Sequence, residues 1–140
     1  MLKTKLTQPE ILDALAGAGH GSRVLIADGN YPVSTKTYEG AELVYLNLRP
    51  GLPTVTDVLE VLAETIPIEA AHVMMPEEGP EPPIFAEFRK LLTEVELDKL
   101  GRFEFYDAAS EPDLCLAIGT GEQRVYANLL LTIGVVPPES

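Results

Sequence analysis

The sequence predicts an α/β fold, a sheet carrying helices on its faces, and three observations predict it. Short apolar runs bounded by glycine or other turn residues alternate with segments whose apolar residues recur at helical spacing, so strands and helices are taken in turn. A chain of 140 residues, 46% of them hydrophobic, can build a core as one domain over residues 1–140 without metal or disulfide support. No internal repeat or low-complexity segment interrupts this alternation.

In chain order, Thr7-Gln-Pro-Glu10 has the residues of a capping box with proline in the first turn. Ile11, Leu12, Leu15 and Ala16 then repeat at helical spacing until Gly17 and Gly19 end the helix. Residues 23–27 form an apolar run that reads as a buried strand, and the polar stretch 30–40, with Pro32, reads as a loop. Residues 43–48 predict a second strand, closed by Arg49-Pro-Gly-Leu-Pro53. A helix over 54–65 places Val55, Val58, Leu59, Leu62 and Ile66 on one face, and 70–75 is a third strand. The acidic, proline-rich 76–83 is a surface loop, followed by a helix over 84–94 in which Phe85, Phe88 and Leu92 share a face. Phe103-Glu-Phe-Tyr106 alternates like a strand, and residues 114–118 and 125–133 supply the last two.

The formal net charge of -12 argues against nucleic acid and anionic membrane surfaces, both of which need a basic face. It is compatible with a neutral small ligand. The single cysteine, Cys115, cannot form an intrachain disulfide and fits a reducing compartment as a small buried hydrophobe. The N-terminus lacks the apolar core of a signal peptide, and no run approaches the ~20 apolar residues of a membrane span. The expectation is a cytoplasmic protein.

Two constellations carry chemistry. In Gly17-Ala-Gly-His-Gly-Ser-Arg-Val-Leu-Ile-Ala-Asp-Gly-Asn-Tyr-Pro32, His20 sits in a glycine-rich turn before the first strand and Asp28 in a turn after it. Histidine titrates near neutrality and moves protons; an aspartate accepts hydrogen bonds from hydroxyls. Each has a purely local alternative: His20 satisfying the carbonyls of a helix end, Asp28 capping its own Asp-Gly turn. A strand rises ~3.3 Å per residue, so the intervening segment holds the two side chains some 15–20 Å apart. They meet only if the first part folds back, or if His20 of one subunit faces Asp28 of a neighbour. The second constellation follows Gly119-x-Gly121, which lacks the third glycine of a dinucleotide fingerprint and precedes a strand rather than a helix. Tyr126 and Asn128 alternate onto one face of that strand, where a phenol and an amide suit a polyol. His20 and His72 have no zinc-ligand spacing, and no Gly-x-Ser-x-Gly elbow is present.

Taken together, Gly19-His20-Gly21, Asp28 with Pro32, Gly121-Glu122, Tyr126-x-Asn128 and Gly134-Val135 resemble the family of bacterial ribose pyranase and fucose mutarotase. Val73-Met-Met-Pro-Glu-Glu-Gly79 and Arg102-Phe-Glu-Phe-Tyr106 look more like the fucose branch. The resemblance implies a Rossmann-like three-layer α/β subunit with helices on both faces. It also implies assembly into a ring, a decamer of two pentamers, with sites near subunit contacts. The activity implied is cofactor-independent interconversion of monosaccharide anomers, with His20 as proton donor and Asp28, Tyr126, Ala127 and Asn128 binding the sugar. No metal or nucleotide is required. The family's sugar-contacting Arg or His, expected shortly after 103–106, has no counterpart in Asp107-Ala-Ala-Ser-Glu-Pro-Asp113. That difference leaves a second expectation standing, a sugar-binding accessory or sensor of an uptake system without turnover.

Overall fold

The computed structural model describes residues 1–139. Its elements run α1 (Pro9–Ala16), β1 (Arg23–Ala27), β2 (Glu42–Tyr45), α2 (Val55–Ala63), β3 (Ile68–Met74), α3 (Ile84–Leu91), β4 (Leu97–Leu100), α4 (Arg102–Ala109), β5 (Leu114–Gly119) and β6 (Leu129–Ile133). One six-stranded sheet results, in the order β2-β5-β1-β6-β3-β4. β6 lies antiparallel to both its neighbours, β1 and β3, while the other pairings are parallel. The sheet is therefore mixed, and Asp28 follows the carboxyl end of β1.

Two apolar layers cover the sheet, as three-layer architecture requires. On one face, Ile11 and Leu15 of α1, Val58, Leu59 and Leu62 of α2, and Phe85 and Phe88 of α3 pack against Val24, Ile26, Leu116, Leu129 and Leu131. On the other, Phe105 and Ala109 of α4 pack with Tyr31 and Val33 against Leu25, Ala27, Ala117 and Leu130. The central strands are covered on both sides, so β1 is an almost continuous apolar run instead of an alternating one.

Local chemistry fixes the helix starts. Thr54 and Asp57 form a reciprocal capping box: the Thr54 hydroxyl accepts from the Asp57 N–H at 3.1 Å, and the Asp57 carboxylate accepts from the Thr54 N–H at 2.9 Å. Thr54→Ala is expected to cost about 1 kcal/mol, read as a lower urea midpoint at unchanged slope. At α1 the box expected from Thr7 and Glu10 does not form. Pro9 disfavours helical geometry in the residue before it, so Gln8 is extended and becomes the cap, its side chain accepting from the Ile11 N–H at 2.7 Å.

Several expected boundaries shift. The second strand stops at Tyr45 instead of residue 48, the third spans Ile68–Met74, and α3 ends at Leu91. More substantially, residues 103–106 belong to a helix, not a strand. Phe105 and Ala109, four apart, are both buried, whereas Phe103 is 71% exposed, so the Phe-x-Phe spacing was a coincidence of period. The strand in this region is β4, whose Leu97-Asp-Lys-Leu100 sits at the sheet edge with two exposed charged side chains and so lacks an apolar signature. The last strand begins at Leu129, not 125: Tyr126 has φ 57°, a left-handed conformation that a strand cannot contain.

Candidate functional site

Asp28, Met74 and the 120–128 loop lie at the carboxyl ends of β1, β3 and β5, and Arg102 opens α4 just past the carboxyl end of β4. Chain ends of this kind leave a crevice at the sheet edge. Here it is a cleft of about 240 Å³ lined by Asp28, Tyr31, Arg102, Tyr106, Tyr126 and Asn128, among others.

The Asp28 carboxylate is only 4% exposed. Its Oδ1 accepts the N–H groups of Asn30 and Tyr31, both at 2.9 Å, which is the turn-capping role that Asp-Gly sequences favour. Its Oδ2 accepts from Asn128 Nδ2 at 3.2 Å, and its own N–H donates to Asn128 Oδ1 at 2.8 Å. Asp28 thus holds its own turn and also pins Asn128 across the cleft. Burial pushes its pKa above the ordinary 3.8, although the N–H groups around it favour the carboxylate.

Tyr126 and Asn128 do reach the same cleft, but by a loop and not by strand alternation. Between them Ala127 is fully buried, which seats the loop on the core. Sequence reasoning missed Arg102. Its Nε donates to the Tyr106 hydroxyl at 3.1 Å, and its guanidinium lies 5.3 Å from the Phe103 ring centre and 5.5 Å from that of Tyr106. Those contacts hold a planar cation over the cleft. The absence of Arg or His from residues 107–113 therefore does not leave the cleft without a positive group. The available signal was the four-residue spacing of Arg102 and Tyr106 after Gly101, which is helical.

His20 is elsewhere. It stands between Gly19 and Gly21 at the opposite end of the strands, on a cavity of about 330 Å³ lined by Ile66, Pro67, Gly134, Val135 and Val136 among others. It shares no cavity with Asp28. The five residues of β1 alone, at ~3.3 Å each, span about 16 Å. Within one chain the turn does not fold back. His20 Nε2 lies 3.0 Å from both carboxylate oxygens of Glu69, and since a carboxylate only accepts, Nε2–H is the donor of that contact. The helix-capping alternative is not what forms.

The Gly119-x-Gly121 pair has a packing explanation. A side chain on Gly121 would collide with the carbonyls of Arg49 and Leu52, while its backbone bonds to Gly51 and Pro53. Cys115 is half-buried, its thiol donating to the Arg23 carbonyl at 3.3 Å. Among the described residues no three His, Cys, Asp or Glu side chains converge into a metal-binding group, and no helix is long and apolar enough to cross a membrane.

Against known proteins, residues 1–136 match the model of the RbsD / FucU transport protein family. The chain is 32% identical to a fucose mutarotase of Mus musculus, the alignment covering 94% of this chain and 92% of that one. It is 30% identical to a D-ribose pyranase of Symbiobacterium thermophilum, over 96% and 98% of the two chains. The solved structure of Bacillus subtilis RbsD complexed with D-ribose superimposes with a TM-score of 0.82 at 31% identity, over 98% of this chain and all of the other.

Proposed function

The chain belongs to the RbsD / FucU transport protein family, and from that premise we propose that it is a cofactor-independent mutarotase acting on a neutral, fucose-like monosaccharide. The observation that carries this reading is the convergence of a buried carboxylate, an amide, a phenol and a guanidinium on one cleft. Its volume of about 240 Å³ lies just below the ~300–1,000 Å³ of pockets for drug-sized ligands and suits a single sugar ring. Asp28 and Asn128 accept and donate to hydroxyls, Tyr126 stacks on the ring or donates to it, Ala127 offers its main chain, and Arg102 donates to a ring or hydroxyl oxygen. With Arg102 in the cleft, the binding-only alternative loses the difference that gave it weight.

The reaction needs one proton delivered to the ring oxygen while the anomeric hydroxyl loses one. The C1–O5 bond then breaks to give the open-chain aldehyde, and reclosure on the other face of C1 yields the other anomer with no net change in protons. One acid/base group serves both directions, a role that fits the His20 imidazole, with Nδ1 as the exchanging nitrogen and Glu69 holding Nε2–H. Because His20 and Asp28 lie at opposite ends of the strands, the assignment requires a neighbouring copy to bring its His20 to the cleft. Exposed apolar residues flank both places: Val135 and Val136 beside His20, Phe103 and Val125 beside the cleft. Their exposure in the single chain supports a closed homo-oligomer that would bury them between copies, for which we take a ring of two pentamers. We place the enzyme in the cytoplasm, in keeping with its single thiol and its free-sugar substrate.

Calorimetric titration with a panel including L-fucose and D-ribose tests the binding half of this reading. One neutral sugar is expected to bind at pH 7, and none binding would contradict the reading. An ionised Asp28 accepts hydroxyl hydrogen bonds more strongly than a protonated one, and its pKa is raised in the folded protein. Affinity is therefore expected to hold at neutrality and to fall as pH drops through a value above 3.8; Asp28→Asn removes that limb.

A further inference from the structure

We propose that Glu122 and Arg124 are positioning residues that hold Tyr126 in its cleft-facing conformation without touching the sugar. The inference rests on the proposed role of Tyr126 and extends it to residues outside the cleft.

The Glu122 carboxylate is 3% exposed, yet it sits in no apolar void. Its Oε1 accepts the Val55 N–H at the start of α2 at 3.2 Å and Arg124 Nη2 at 2.8 Å. Its Oε2 accepts the Arg124 N–H at 3.2 Å and Arg124 Nε at 3.1 Å. Arg124 also donates from Nη2 to the Thr56 hydroxyl at 3.2 Å and pairs through Nη1 with Glu87 of α3. The backbone of residues 122–124 is thereby closed into a small ring by its own side chains and clamped to two helices. On its other side the Glu122 carbonyl accepts the Gly29 N–H at 2.9 Å, one residue from Asp28. Burial alone would push the Glu122 carboxyl up, but the bonds from Arg124 outweigh it and hold the pKa below the ordinary value.

Downstream, Asn128 is fixed by its two hydrogen bonds with Asp28. Tyr126 lies between these two anchors with φ 57°, and no other described non-glycine residue has a positive φ. A bulky residue in the left-handed region persists only where its surroundings over-determine it. The downstream anchor belongs to the cleft itself. The upstream one has no part in the cleft, and releasing it lets Tyr126 relax to negative φ and turn its phenol away.

The test combines crystal structures with sugar binding for wild type, Glu122→Gln and Arg124→Ala. Glu122→Gln keeps size and an acceptor for Val55, so it folds even if Arg124→Ala does not. The expected result is a positive φ at Tyr126 in wild type and a negative φ or displaced loop in Glu122→Gln. Sugar affinity should fall about tenfold, and that loss should vanish in a Tyr126→Ala background, because the two residues act as one unit. An unchanged Tyr126 and unchanged affinity in Glu122→Gln would overturn the proposal, as would a loss that adds in full to that of Tyr126→Ala. If wild type binds no sugar while Tyr126 still moves in Glu122→Gln, the mutarotase reading fails and the positioning role stands.

Discussion

His20→Ala is expected to slow anomer exchange by ~10²–10⁴-fold, the usual contribution of a positioned general acid/base, while sugar affinity stays close to wild type. The histidine is 59% exposed at its side chain and bonded only to Glu69, so its removal opens no cavity and leaves no buried group unpaired. A loss confined to turnover is the pattern of a group acting in the transition state. The same variant reports the geometry of the assembly. If a neighbour supplies His20, refolding a mixture of His20→Ala and Asp28→Ala chains recreates sites that carry both native residues, and activity returns. If each site draws both from one chain, the mixture stays inactive.

The second large effect is at Asp28. Asp28→Ala is expected to abolish sugar binding and to lower stability by at least ~2 kcal/mol. The Asn128 amide loses its buried acceptor and the Asn30 N–H its own at the cleft rim, while the Tyr31 N–H keeps only its longer bond to the Asp28 carbonyl at 3.3 Å. Each unsatisfied buried donor costs ~1–3 kcal/mol, offset in part where water reaches it through the cleft. Chemical denaturation reads the stability and titration reads the binding. Binding retained at wild-type affinity in the folded variant would remove Asp28 from the site.

How much of this was legible in the sequence depended on whether local pattern or tertiary contact decided each feature. The central strands and α2 were visible because burial on both faces of β1 and β5 leaves apolar runs, and because Val55, Val58, Leu59 and Leu62 recur on one face of α2. Residues 103–106 misled because two aromatics spaced by two fit a strand as well as a helix, and the deciding fact, that Phe105 is buried and Phe103 is not, lies in α4's contact with the sheet. That error hid Arg102, whose place over the cleft follows only once α4 begins at Arg102. Asp28, Tyr126 and Asn128 were found through their turn chemistry and motif, although the loop that unites Tyr126 with Asn128 was read as a strand. Strand length raised the separation of His20 from Asp28 but left a fold-back of the turn open, and the structure closes that alternative within one chain. In the proposed assembly a neighbouring copy closes that gap, and one chain's sequence encodes such a contact only through exposed apolar residues such as Val135 and Val136.

The central claim, that this protein speeds the exchange of sugar anomers, is tested most directly by saturation-transfer NMR between the two anomeric protons of each sugar in a monosaccharide panel, with enzyme added. Transfer enhanced for one neutral sugar by the wild type, and lost with His20→Ala, is the result this account predicts. Exchange at the spontaneous rate for every sugar, with folded wild-type protein present, would contradict it.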